Sequence, residues 1–205
     1  RYHILVNGAQ VYDSFEDKTL LREELTPQQA MCMLHFLKSR NVLRGVYIDG
    51  LGHMSREDFS EIEAVAATPA TATLMRRSYQ TDEDLDAVTA QHDSVQKIIA
   101  FFRNPDDKQA TIREITARFP GYAVSSSLGN NIEINAQNAT KGSALCFLCE
   151  KIGIPIGQCM AFGDGTNDYS MLRAAGFGVA MGNASEEVQS CADAVTETNE
   201  AGRLF

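Results

Sequence analysis

The stretch CMAFGDGTND at residues 159–168 constrains this chain more than any other, because an apolar, strand-like run ends there in a glycine-spaced acidic loop that opens a helix. Periodicity around it predicts a helix at 140–152, a strand at 159–162, a helix at 168–175, a strand at 178–181, a helix at 185–191 and a strand at 194–196. Alternating strand and helix is the pattern of a parallel α/β sheet. In such sheets ligands gather at the carboxyl edge of the strands, where Asp164 falls. Asp164 and Asp168 are hard oxygen donors flanking small residues, and donors of that kind suit magnesium. The plainer reading is an acidic turn in which Asn167 or Asp168 caps the next helix. A dinucleotide fingerprint would need a third glycine where Asp168 stands.

The start of the chain suits the same sheet. Residues 3–6 are apolar β-formers halted by Asn7-Gly8, and residues 9–13 alternate, so the chain is expected to open on a central strand. Between the two ends the pattern changes. Thr26-Pro27 predicts a helix over 28–39, followed by a strand at 45–49, a polar helix at 57–66, a strand at 95–102, a helix at 107–119 and strands at 122–126 and 131–135. The expected organisation is a core made of residues 1–22 and 136–205, with an α+β cap of residues 23–135 inserted between them. YIDGLG at 47–52 reads as a cap strand and turn, and the acidic run 82–86 as the solvated start of a helix.

With 27 acidic and 18 basic side chains, the net charge of −9 opposes binding to nucleic acid or to an anionic membrane surface. An anionic substrate would need a local positive device. Lys141 is the candidate: it follows the N-cap residue Thr140, where the helix dipole disfavours a cation, and it stands beside helix N–H groups expected to be exposed. No apolar run reaches the ~20 residues that span a bilayer, and residues 1–6 meet Asn7-Gly8 too early for a signal peptide, so a cytoplasmic location is expected. The five cysteines, an odd number lying mostly in apolar runs, read as reduced and buried thiols. Cys146-x-x-Cys149 falls inside a helix with no second Cys or His pair nearby, which favours core packing over zinc.

Taken together, Asn7-Gly8-Ala9, Lys141-Gly142, the 163–168 loop, GVAMGNA at 178–184 and Ala192-Asp193 resemble the Cof-type haloacid dehalogenase-like hydrolases. The resemblance implies a Rossmann-like parallel core with an inserted α+β cap, and a magnesium-dependent phosphatase that passes through an aspartyl-phosphate. It assigns phosphate binding and catalysis to Lys141, the metal to Asp164 with Asp168 in support, proximity to the phosphate to Asn167, and substrate contact to Asn7. The implied substrate is a small phosphorylated metabolite such as a sugar phosphate, and a phosphomutase would share the same motifs. That family's opening Asp-x-Asp-Gly is missing before Asn7, so the chain is expected to be N-terminally incomplete and inactive by itself. The rival expectation is a binding or scaffold protein without catalysis. Homodimerisation, through an unpaired sheet edge or through the cap, is a further expectation.

Overall fold

The computed structural model describes residues 1–198. They divide into two compact units, one formed by Arg1–Glu23 with the chain from Asn138 onward, the other by Glu24–Gln137.

The first unit opens on β1 (Tyr2–Leu5), β2 (Gln10–Asp13) and β3 (Lys18–Arg22), which make a three-stranded antiparallel sheet of their own. Residues 3–12 therefore do not enter the parallel sheet, contrary to the sequence expectation. Asn7 and Gly8 take positive φ values of 60° and 99°, which reverses the chain and sets Leu5 opposite Gln10. A parallel partner would require a crossover of about a dozen residues or more, and this turn is far shorter.

The second unit contains α1 (Pro27–Lys38), β4 (Val42–Ile48), β5 (Leu51–Ser55), α2 (Arg56–Ser60), α3 (Pro69–Ser78), β6 (Tyr79–Asp82), α4 (Leu85–Ala90), β7 (Lys97–Phe102), α5 (Asp106–Arg118), β8 (Tyr122–Ser125) and β9 (Asn131–Ala136). α1 begins where Thr26-Pro27 predicts. The Gln29 N–H donates to Thr26 Oγ1 at 3.2 Å and Thr26 N–H donates to Gln29 Oε1 at 2.8 Å, a reciprocal cap contributing about 1 kcal/mol. Asp49 and Gly50, at φ 49° and 81°, form the tight turn between β4 and β5 that fits a hairpin.

The six strands run in the order β6-β5-β4-β7-β9-β8, and only β5 and β6 pair in parallel. Successive residues of β7 alternate between two apolar clusters: Ile98, Ala100 and Phe102 pack with Met33, Leu37 and Ile134, whereas Ile99 and Phe101 pack with Met54, Ile62 and Tyr79. The sheet is thus buried on both faces at its centre, which is why β7 reads as an unbroken apolar run. The helix expected over 57–66 is broken. α2 stops at Ser60, and a 3-10 turn at Ile62–Ala64 follows, which brings Ile62 and Val65 into the second cluster.

The chain then returns to the first unit with α6 (Lys141–Ile152), β10 (Met160–Gly163), α7 (Tyr169–Ala174), β11 (Phe177–Ala180), α8 (Glu186–Gln189) and β12 (Ala194–Val195). β10, β11 and β12 form the parallel sheet that the alternation predicts. One face packs Ala161 and Ala180 against Leu172, Ala184 and Val188. The cysteines are not uniformly buried: Cys149 is, but Cys32 and Cys146 are exposed and Cys159 and Cys191 are intermediate. Cys32 falls outside the stripe of Ala30, Met33, Leu34 and Leu37 that α1 turns inward. No helix among the described residues is long and apolar enough to cross a membrane.

Candidate active site

β10 and β11 end side by side, with Gly163 paired to Ala180 and the Met181 N–H donating to the Gly163 carbonyl at 2.9 Å. That register places the loops after both strands together at the carboxyl edge. Asp164 follows β10 with an exposed side chain, and its Oδ2 accepts a hydrogen bond from Asn183 Nδ2 at 3.0 Å. Asn183 lies in the 178–184 block, yet neither charge nor spacing marks it as a partner of Asp164.

Asp168 is only 6 % exposed, and both of its oxygens are engaged. Oδ2 accepts the N–H groups of Asp164 and Gly165, each at 3.0 Å, and Oδ1 accepts Lys141 Nζ at 2.5 Å. One carboxylate thereby fixes the loop that carries Asp164 and aims the lysine from the start of α6. A charge-assisted bond of this kind is roughly twice as strong as a neutral one. Of the two sequence readings of Asp168, the cap of the following helix does not hold: Asp168 caps the 3-10 turn at Thr166–Asp168 and makes no side-chain cap to α7.

The helix N–H groups expected to lie open beside Lys141 are occupied. Gly142 N–H donates to Ser170 Oγ at 3.0 Å and Ser143 N–H to Thr140 Oγ1 at 3.1 Å. The Lys141 side chain itself remains 28 % exposed. Ser170 gives no signal in the sequence, and its role appears only through space.

Two glycines let these segments meet. A Cβ at Gly8 would lie 2.2 Å from the Thr140 carbonyl oxygen, and one at Gly142 would lie 2.4 Å from that of Ser170. The turn bearing Asn7 therefore sits directly against the start of α6, and Asn167 Nδ2 reaches Asn7 Oδ1 at 3.3 Å. All five residues singled out from the sequence, Asn7, Lys141, Asp164, Asn167 and Asp168, are in this way linked through one network.

Among the described residues no three His, Cys, Asp or Glu side chains converge as a metal cage. Magnesium does not require one, since it is commonly held by one or two carboxylates, substrate phosphate and water. The exposed Asp164 carboxylate fits that role. Asp168, with both oxygens committed to protein donors, fits it less well.

A family model described as haloacid dehalogenase-like hydrolase matches residues 1–203. The chain belongs to that family. A solved haloacid dehalogenase-like hydrolase from B. subtilis superimposes with a TM-score of 0.83 at 28% identity, covering 98% of this chain and 76% of that one. The α/β fold implied by the resemblance is therefore the fold of this haloacid dehalogenase-like chain. Phosphatase YwpJ of Bacillus subtilis (strain 168) is 52% identical over 75 residues, 37% of this chain and 26% of that protein. Phosphoglycolate phosphatase of Pyrobaculum neutrophilum is 33% identical over 172 residues, 81% of this chain and 67% of its own length. The match to YwpJ thus spans about a quarter of that phosphatase.

Proposed function

We propose that this chain supplies the phosphate- and metal-handling side of a magnesium-dependent phosphatase acting on small phosphorylated metabolites such as sugar phosphates. The observation that carries the reading is the Lys141–Asp168–Asp164 arrangement, in which a buried carboxylate holds a cation and an exposed metal-type ligand at one strand edge. The family membership and the phosphatases among the relatives support it.

Phosphoryl transfer needs positioning and neutralisation of the equatorial oxygens. Lys141 would hold the phosphate, and Asp164 would hold magnesium, whose chemistry is to offset charge on the transferring group. Asn167 and Asn7 would donate to phosphate or substrate oxygens. Asp168 is a positioning residue, acting through Lys141 and the loop backbone. Covalent transfer through an aspartyl-phosphate needs a nucleophilic aspartate, and the 205 residues contain no Asp-x-Asp-Gly. In this proposal that aspartate comes from outside these residues.

The test is inorganic phosphate release from sugar phosphates by the protein as its source makes it, with and without magnesium. Asp164→Ala lowers the magnesium-dependent rate by about a thousandfold; an unchanged rate overturns the assignment. If the natural protein itself shows no turnover yet binds inorganic phosphate through Lys141, the non-catalytic reading motivated by the missing motif replaces the phosphatase.

A further inference from the structure

The sequence offers Cys146-x-x-Cys149 as its only cysteine pair of recognisable spacing, but the structure pairs Cys149 with a different partner. Cys149 Sγ lies 3.2 Å from Cys159 Sγ, while Cys146, one turn away on α6, is exposed. The chain between them leaves α6 through Gly153 in a left-handed cap at φ 72° and returns through the 3-10 turn Ile156–Gln158, which sets Cys159 against the last turns of the helix. From these positions we infer that Cys149 and Cys159 are a dithiol–disulfide modification site, closed by a hydroperoxide and reopened by a dithiol reductant.

The sulfurs are inside van der Waals contact and need to approach by only about 1.2 Å to reach a bond of ~2.05 Å. They also differ in access. Cys149 is 4 % exposed, and burial, followed by the bond to Cys159, pushes its thiol up to about 11. Cys159 is only partly buried and so the more accessible of the two, which makes it the first to react. Its thiolate attacks the peroxide, the O–O bond breaks, and the departing hydroxide takes the proton that Cys159 had released, leaving as water. Cys159 is then a sulfenic acid. Cys149 sulfur attacks it, the S–S bond forms, the S–O bond breaks, and the Cys149 proton leaves with the oxygen as a second water. Two thiols are oxidised by two electrons, and one hydroperoxide is reduced. Cys191 instead turns its Sγ to the Val188 carbonyl, to which it donates at 3.0 Å.

The bond would tie the end of α6 to the start of β10, the two elements that carry Lys141 and Asp164 at their other ends. Closing so short a loop restrains the unfolded chain, and the expected gain is a rise in melting temperature of about 5 °C.

The experiment treats the 205-residue chain with hydrogen peroxide, alkylates the remaining thiols and digests it with trypsin without reduction. Cleavage at Lys151 separates residues 142–151 from 152–173, so a Cys149–Cys159 bond appears as those two peptides joined. We expect two of the five thiols to be lost, the mass to fall by about 2 Da, and both changes to reverse with dithiothreitol. Cys146→Ser retains the joined peptides and the rise in melting temperature, whereas Cys159→Ser loses both. The inference is overturned if Cys146→Ser abolishes the joined peptides, or if Cys149 and Cys159 stay alkylatable after the exposed Cys32 has been oxidised.

Discussion

The two units of this chain solve the packing problem in opposite ways. In Glu24–Gln137, large side chains fill both faces of a six-stranded sheet, Phe102, Leu37, Ile98 and Ile134 on one and Phe101, Met54, Ile62 and Tyr79 on the other. In the other unit the parallel sheet is faced mainly by alanines, with Leu172 and Val188 the largest fully buried side chains in its cluster. Its segments are instead brought backbone against backbone, as at Gly8 and Gly142. The inserted unit is held by side-chain volume, and the unit with the candidate site is held by close approach. A site needs short, fixed distances between loops, and small residues provide them.

This contrast predicts that opposite kinds of mutation injure the two units. After the Asp164→Ala loss, Asp168→Asn should have the next largest effect: it keeps the shape but removes the charge that holds Lys141, and should lower magnesium-dependent phosphate release by about a hundredfold. A KM change without a kcat change would instead place Lys141 in simple binding. Phe102→Ala, which empties a position only 1 % exposed, should cost about 4 kcal/mol in urea unfolding, with the loss read in amide exchange of β4, β7 and β9. Gly142→Ala adds one methyl and should cost about 2 kcal/mol, with the loss confined to α6 and α7. If Gly142→Ala is neutral while Leu172→Ala is severe, the first unit is held by volume after all and the contrast fails.

The smallest expected effect is the response to acid. Burial pushes the Asp58 carboxyl above its ordinary value of 3.8, against the pull of Arg44. A raised folded pKa means that ionised Asp58 costs stability above that value, and that the cost disappears as pH falls toward 3.8. Asp13 is the reverse. Burial pushes its carboxyl up, but the Phe15 N–H, the Arg1 guanidinium and the Glu16 N–H outweigh that and hold it below the ordinary value. Its stabilisation is complete above 3.8 and is lost as pH falls through the depressed folded value. Acid titration followed by amide exchange should therefore weaken β1–β3 only below pH 3.8, while β4 and β5 hold or gain protection above it. Asp58→Asn should remove that gain.

What the sequence made legible is what is encoded locally. The Thr26-Pro27 cap, the Asp49-Gly50 turn and the strand–helix alternation after residue 140 each depend on neighbouring residues, and all appear in the fold close to the expected places. The same cap signal stands at Thr68-Pro69 before α3, where the weakly apolar stretch around it hides the helix. β6 is set by long-range contacts, including the His53–Asp82 bond at 2.9 Å, which no local pattern announces. In the candidate site the residues were visible but their division of labour was not. That Asp168 holds a lysine 27 positions earlier, or that Asn183 holds Asp164, is a fact about packed loops.

The contact between Gly8 and Thr140 also imposes an order on synthesis. Roughly 130 residues separate the two positions, so at about 5–20 residues per second the turn bearing Asn7 waits on the order of ten seconds for the helix it packs against. During that interval the whole of Glu24–Gln137 is synthesised and its own sheet becomes complete in sequence. The inserted unit can fold while the chain is still growing. The candidate site closes only when the second half of its unit arrives, which makes β1–β3 the part most dependent on protection while translation proceeds.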